Sequence, residues 1–390
     1  MMRRRRFLKG LATAASIPFI SNLRAFSAYA ADAPAVPARI KAFDLDFNWL
    51  FNSAAKQSEF APPGYYAQAD PEEHIRWYHD LGANVIQTFA VSCNGYAWYR
   101  NGFVPPEPGL KYDFLPEMVR LGHKQGMLVM GYFCVGANSK WGADHPDLSY
   151  GTPSTYHIPF TDAYLDYLSH SMADAIQKTG MDGYMIDWVW NPQSRLRASG
   201  WLPAEKKLFD QLTGKSFPAS GQLDAESTLV YERKAIDRCW DRIKEARDRV
   251  DPRCIIWLSC NDLSNPTVTG SRMLKEVDWA MNESPDPKLY RMGEQMVGPK
   301  TRMIQNVVGW LGHDTEKFLS DPANHDLDLY GFATPRANSL LPPVKDYLTK
   351  PMACFAGSDK GSVNDRNIAA LARFYRGLPL GGNKTNAACS

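Results

Sequence analysis

Beyond residue 40 the chain is a series of short apolar runs separated by longer amphipathic stretches. Runs of this kind suit parallel strands covered on both faces, and the stretches between them carry helical periodicity. The pattern predicts strands at 43–48, 84–89, 127–133, 183–189, 254–260, 277–282, 302–308 and 328–333. Helices are predicted between them. Asp70-Pro71-Glu72-Glu73 supplies an N-cap, a first-turn proline and an early acid, and Gly82 ends that helix after Leu81. Further helices are expected over 112–125, ahead of Gly126, and over 161–179, ahead of Gly180. The clearest spans about 225–250, where Leu229, Ile236, Cys239, Trp240, Ile243 and Val250 share a face. Shorter helices are expected at 286–297, 314–320 and 365–376, and one within the insertion 191–224.

Strand and helix alternating eight times predict a single-domain α/β fold, a (β/α)8 (TIM) barrel over residues 31–390. The competing architecture is a doubly wound open sheet, which carries a glycine-rich phosphate loop after its first strand. Here Trp49-Leu50-Phe51-Asn52 follows instead.

The N-terminus adds an address. Arg4-Arg5-Arg6-Phe7-Leu8-Lys9, a mildly apolar run from Leu11 to Ile20, and Ala28-Tyr29-Ala30 occur in the order of a twin-arginine export signal with its cleavage site. The expected mature protein starts at Ala31, has no membrane span and is periplasmic or secreted. The chain holds 44 basic and 42 acidic residues; setting aside the six basic residues of the first 30 leaves 38 against 42. That balance argues against a nucleic-acid partner. Seven cysteines without a CxxC indicate neither a disulfide framework nor a zinc knuckle. No HExxH and no Cys/His cluster at ligand spacing appears, so no metal and no cofactor is expected.

In a barrel the chemistry sits at the C-terminal ends of the strands. Those ends are rich in polar, acidic and aromatic residues. The first carries Asp44 and Asp46, the second runs into Asn94, Tyr96 and Trp98, and the third ends at Tyr132 with His157 further on. The fourth ends in Asp187-Trp188-Val189-Trp190, and the fifth leads to Asn261 and Asp262. The sixth ends in Asn282-Glu283, the seventh at Trp310, and the eighth near Arg336. Carboxylates for chemistry and aromatic faces for sugar rings imply a carbohydrate substrate. Glycoside hydrolysis needs two carboxyls flanking the bond. Asp187 and Glu283 are the strand-end acids expected to serve, with Asp262 as a rival to Glu283 and Asp278, early in its strand, as a further one. Asp44, Asp46, Tyr96, Tyr132, His157 and Asp262 are expected to contact substrate. Trp98, Trp188, Trp190 and Trp310 are expected to form walls, and Asn94, Asn261, Asn282 and Arg336 to bond hydroxyls. The competing functions are a non-catalytic sugar-binding barrel and a metal-dependent polysaccharide deacetylase resting on Asp44, Asp46 and scattered histidines.

The tract Asp182-Gly183-Tyr184-Met185-Ile186-Asp187-Trp188 resembles the fourth-strand segment of the α-L-fucosidases of glycoside hydrolase family 29. Asn94-Gly95-Tyr96-Ala97-Trp98-Tyr99, Pro108-Gly109-Leu110-Lys111-Tyr112-Asp113-Phe114-Leu115, Gly131-Tyr132-Phe133 and His145-Pro146-Asp147 are similar to hypothetical glycosyl hydrolases grouped near them. The resemblance implies a retaining α-glycosidase, best an α-L-fucosidase, with Asp187 as nucleophile. It does not supply the acid/base. Oligomeric state is not legible in the chain.

The export reading predicts that replacing Arg4 and Arg5 by Lys leaves the precursor in the cytoplasm. N-terminal sequencing of the exported wild type should begin at Ala31; normal export of the double variant contradicts the reading.

Overall fold

The computed structural model describes residues 33–52, 57–152, 155–189, 194–197, 200–309, 313–351, 354–355 and 364–380. The leader and its cleavage site lie outside them.

Strand β1 (Lys41–Leu45) is followed by a hairpin, β2 (Trp49–Asn52) and β3 (Gln57–Phe60). Then come helix α1 (Pro71–Leu81), β4 (Val85–Val91), α2 (Phe114–Lys124) and β5 (Leu128–Cys134). After β5 the chain makes a short helix α3 (Ser139–Asp144) and a second hairpin, β6 (Tyr150–Gly151) and β7 (Tyr156–His157). Next are α4 (Asp162–Thr179), β8 (Gly183–Asp187), α5 (Pro203–Thr213), α6 (Ala225–Val250) and β9 (Ile255–Cys260). Short helices α7 (Pro266–Thr269) and α8 (Arg272–Glu276) precede β10 (Trp279–Asn282). The remainder is α9 (Pro287–Met296), β11 (Arg302–Val308), α10 (Thr315–Leu319), β12 (Leu329–Ala333), α11 (Val344–Thr349) and α12 (Asp365–Tyr375).

Eight of these strands close a parallel barrel in the order β1-β12-β11-β10-β9-β8-β5-β4. This is the (β/α)8 barrel that the alternation predicts. The eight expected strands all form, with ends displaced by up to three residues. The displacement at β8 has a physical cause. Trp188 adopts φ +54, a left-handed conformation that no strand can continue through, so the strand stops at Asp187. Helix α1 starts as its sequence dictates: Asp70 accepts from the Glu72 N–H, and Gly82 at φ +87 closes the other end.

Large side chains fill the barrel and its jacket. Trp257 packs edge-on against Tyr330, with ring centroids 5.2 Å apart. Phe47, just past β1, contacts Tyr66, Phe89, Trp98 and Phe114 at 4.5 to 5.6 Å. Five free cysteines, Cys93, Cys134, Cys239, Cys254 and Cys260, are buried. A separate apolar cluster of Trp201, Leu208, Phe209 and Tyr231 sits under the insertion after β8. Within it Arg197 pairs with Glu205 at 2.6 Å and Glu232 at 2.8 Å, and its guanidinium lies 4.1 Å from the Trp201 ring centre. Among the described residues no helix is long and apolar enough to cross a membrane.

Gly183 shows how tightly β8 is held. A Cβ there would sit 2.4 Å from Met130 Cε and 2.5 Å from the Ile255 carbonyl oxygen, and backbone cannot move aside as a side chain can. Gly183→Ala is expected to lower stability by about 1–3 kcal/mol, read by chemical denaturation.

Candidate active site

A cavity of ≈ 670 Å³ opens at the C-terminal ends of the barrel strands. Period-two alternation decides what it sees. Met185 and Asp187 of β8 face it, as do Met281 and Glu283 at the end of β10, and Tyr330 and Phe332 of β12. Ser259 and Asn261 face it from the end of β9, Asp44 and Asp46 from β1, Gln87 from β4 and Tyr132 from β5. The hairpins close the sides. Trp49 and Phe60, stacked at 4.1 Å, come from the first. Thr152, Thr155 and His157 come from the second, and His157 stacks on Trp188 at 5.3 Å.

Asp187 is held from two sides. Tyr132 OH donates to Oδ2 at 2.8 Å, and the Trp188 N–H donates to Oδ1 at 2.7 Å. The N–H lies in the peptide plane that leaves Asp187, and the left-handed φ of Trp188 beyond it sets where its ring stands on the cavity wall. Glu283 has one light restraint, Ser259 Oγ donating to Oε1 at 3.1 Å. Its backbone is fixed more firmly. The Glu283 N–H donates to the Cys260 carbonyl at 2.9 Å, and Asn306 Nδ2 donates to the Glu283 carbonyl. Asp187 and Glu283 line the same cavity close enough for their charges to bear on each other, and a nearby carboxylate disfavours ionisation of its neighbour.

Burial drives the electrostatics. It raises the Asp187 carboxyl well above the usual carboxylate range, and the Glu283 charge adds to the rise. Burial also raises Glu283, against the bonds from Ser259 and Asp187. Asp44 is raised by burial and then by the Asp46 charge. Asp46 is pushed up to about 7 by burial, opposed by the Asn48 N–H that donates to its Oδ1 at 2.9 Å, with the Glu283 charge adding to the rise.

Eight of the residues singled out from sequence line this cavity: Asp44, Asp46, Tyr132, His157, Asp187, Trp188, Asn261 and Glu283. Six others are placed elsewhere. Trp98 is 2 % exposed in the Phe47 cluster, with its indole N–H on Ser92 Oγ, so it is a core residue and not a wall. Asn94 is turned onto Glu107 Oε1, and Tyr96 beside it also misses the cavity. Asp262 is an exposed turn residue accepting the Ser264 N–H, which removes it as a rival to Glu283. Asn282 points away, because its neighbours Met281 and Glu283 point in; its Oδ1 caps the turn at the Ser284 N–H. Arg336 is bound to Asp365 at 2.9 Å. Trp190 and Trp310 lie outside the described residues.

Gln87, Ser259, Tyr330, Trp49 and Phe60 join the cavity without having been anticipated. Gln87 did leave a signal, an amide inside the apolar run of β4. Trp49 and Phe60 left none, since a hairpin brings them there. Among the described residues no group of three or more His, Cys, Asp or Glu side chains is arranged to hold a metal ion.

Residues 70–188 match the family described as hypothetical glycosyl hydrolase 6. That stretch bears out the resemblance read from the sequence. No curated protein sequence matches the chain. Among solved structures, α-L-fucosidase isoenzyme 2 from Paenibacillus thiaminolyticus aligns with TM-score 0.60 at 14% identity, over 87% of this chain and 49% of that one. The chain therefore spans about half the length of that enzyme, and at this identity the likeness is one of fold. The α-fucosidase of Thermotoga maritima, solved with fucose, aligns with TM-score 0.40 at 12% identity over 80% of this chain and 57% of that one.

The raised carboxyls give stability a pH dependence of definite sign. An acid whose pKa is higher folded than unfolded binds more protons in the folded state, so its stabilising contribution is full below about pH 4 and is lost as pH rises through its folded value. For Asp46 the window runs from 3.8 to about 7, each unit being worth about 1.4 kcal/mol at most. Thermal unfolding should therefore occur at lower temperature at pH 8 than at pH 5. Asp46→Asn should flatten that difference; an unchanged difference contradicts the assignment.

Proposed function

We propose that this chain is an exported glycoside hydrolase acting on an α-linked sugar with retention at the anomeric carbon, using Asp187 as nucleophile and Glu283 as acid/base. The observation that carries the reading is that those two carboxyls, from β8 and the end of β10, line one cavity at the mouth of the barrel, near enough for the Glu283 charge to raise Asp187. Inverting enzymes hold their carboxyls about 6.5–9.5 Å apart to seat a water, whereas retaining ones bring them to about 5–5.5 Å. A pair coupled this closely fits the shorter spacing. The similarity of residues 70–188 to the hypothetical glycosyl hydrolases supports the same class. The fold shared with the Paenibacillus enzyme makes an α-L-fucoside the first sugar to test.

The roles follow from the restraints. A nucleophile must be aimed, and Asp187 has two donors fixing its plane. An acid/base must move a proton first to the leaving oxygen and then from water, and Glu283 takes a single, longer hydrogen bond from Ser259 and has the Asp187 carboxyl beside it. As an Asp187 oxygen bonds to the anomeric carbon, the glycosidic C–O bond breaks and the Glu283 proton passes to the departing oxygen. Glu283, now ionised, takes a proton from water. The water oxygen bonds to the same carbon and Asp187 departs. Tyr132 and the Trp188 N–H stabilise the aspartate charge at the start and at the end of the cycle. Trp188 and His157 on one side, and Trp49 and Phe60 on the other, offer faces to the sugar.

Asp187→Ala should abolish turnover on every substrate, because no covalent intermediate forms. Glu283→Ala should slow glycosides with poor leaving groups by about 10²–10⁴-fold while sparing activated aryl glycosides, and azide should speed it. The first-formed anomer, followed by NMR, should be the retained one. Full activity in both variants sinks the mechanism, and an inverted product makes Asp187 a base.

A further inference from the structure

We infer that the glycan taken into this cavity carries a free ammonium group, as in an α-linked 2-amino-2-deoxyhexoside, on the ring that reacts or the one beside it. This rests on the hydrolase reading of the same site and adds the class of substrate.

Two carboxyls suffice for retaining hydrolysis, and the described lining residues hold four. Asp44 and Asp46 are left over. Among those residues there is no Lys and no Arg, and the one imidazole, His157, is stacked on Trp188. Arg336, the cation expected at this rim, is turned to Asp365. Carboxyls removed from water without a cation are costly, and a ligand that brings the cation relieves that cost.

A second observation shows where the ligand's polar group is received. Asp44 is 2 % exposed and its Oδ1 has no hydrogen-bond partner. Gln87, from the neighbouring strand, is fully buried; its Oε1 accepts from Tyr330 OH at 2.7 Å, and its Nε2 has no partner. Both residues line the cavity. Gln87 and Tyr330 lie near enough to Asp44 to oppose the rise of its carboxyl, yet neither its Oδ1 nor Gln87 Nε2 completes a hydrogen bond, so the floor presents an acceptor with charge behind it and a neutral donor beside it. An ammonium on a sugar carbon, with a hydroxyl on the next, satisfies both. The ammonium supplies donors to Asp44 and Asp46, and the hydroxyl oxygen accepts from Gln87. An acetamido group at the same carbon removes the charge, and a uronate or a sulfate brings the wrong one.

The test compares methyl α-glycosides of galactosamine and glucosamine with their N-acetyl and 2-hydroxy counterparts and with methyl α-L-fucoside. Binding to the intact protein is measured by calorimetry near neutral pH. The amino sugars should bind at least about tenfold more tightly than either counterpart. The preference should shrink as ionic strength rises from about 0.01 to about 0.1 M, where the screening length falls from about 30 to about 10 Å. It should shrink in Asp46→Asn, and separately in Asp44→Asn. Equal or weaker binding of the amino sugars to the wild type overturns the inference whatever the variants do. Hydrolysis of the matching 4-nitrophenyl α-glycosides, assayed in parallel, separates the two readings. Cleavage with no preference for the amine keeps the hydrolase and removes the ammonium. Selective binding of the amine with no cleavage of any glycoside keeps the ammonium and removes the hydrolase.

Discussion

Carboxyl groups gathered where water is scarce are the constraint around which the open end of this barrel is arranged. Asp44, Asp46, Asp187 and Glu283 meet there from β1, β8 and β10. Each would ionise freely in water, and each is pushed upward here. The protein tolerates this by aiming single donors at chosen oxygens: Tyr132 OH and the Trp188 N–H at Asp187, Ser259 at Glu283, and the Asn48 N–H at Asp46. Each donor is itself placed by the fold. Tyr132 is fixed by β5, and the Trp188 N–H by the peptide plane at the end of β8.

The barrel was legible because parallel strands covered on both faces write themselves as apolar runs, and all eight did so. The rim was legible only in part, for a reason of geometry. Alternation along a strand tells which residues share a face, but it fails in the loop beyond. Asp187 is the last residue of its strand and Glu283 follows immediately after its own, so both were readable. Asn282 and Glu283 cannot both face inward, a consequence of strand period that separates them once Met281 is seen lining the cavity.

Trp98 marks the other limit. An aromatic residue near a strand end is equally suited to stack on a sugar or to fill the core, and its composition is the same in both cases. What decided its place was Phe47 and Phe114, which come from two separate stretches of chain. Contacts of that kind are not written in the local sequence. Trp49 and Phe60 make the converse point, since their pairing depends on a hairpin with no alternating pattern to announce it.

The insertion between β8 and α6 carries its own apolar wedge, Trp201, Leu208, Phe209 and Tyr231, and its own ion triad of Arg197, Glu205 and Glu232. Tyr150, from the hairpin after β5, joins that triad by donating to Glu205 at 2.6 Å. Among the described residues the unit touches the cavity through Leu196, next to Arg197. Such an arrangement behaves as a module, with an apolar cluster of its own apart from the main core. A change confined to this module therefore alters one edge of the cavity while the barrel and its acids stay as they are.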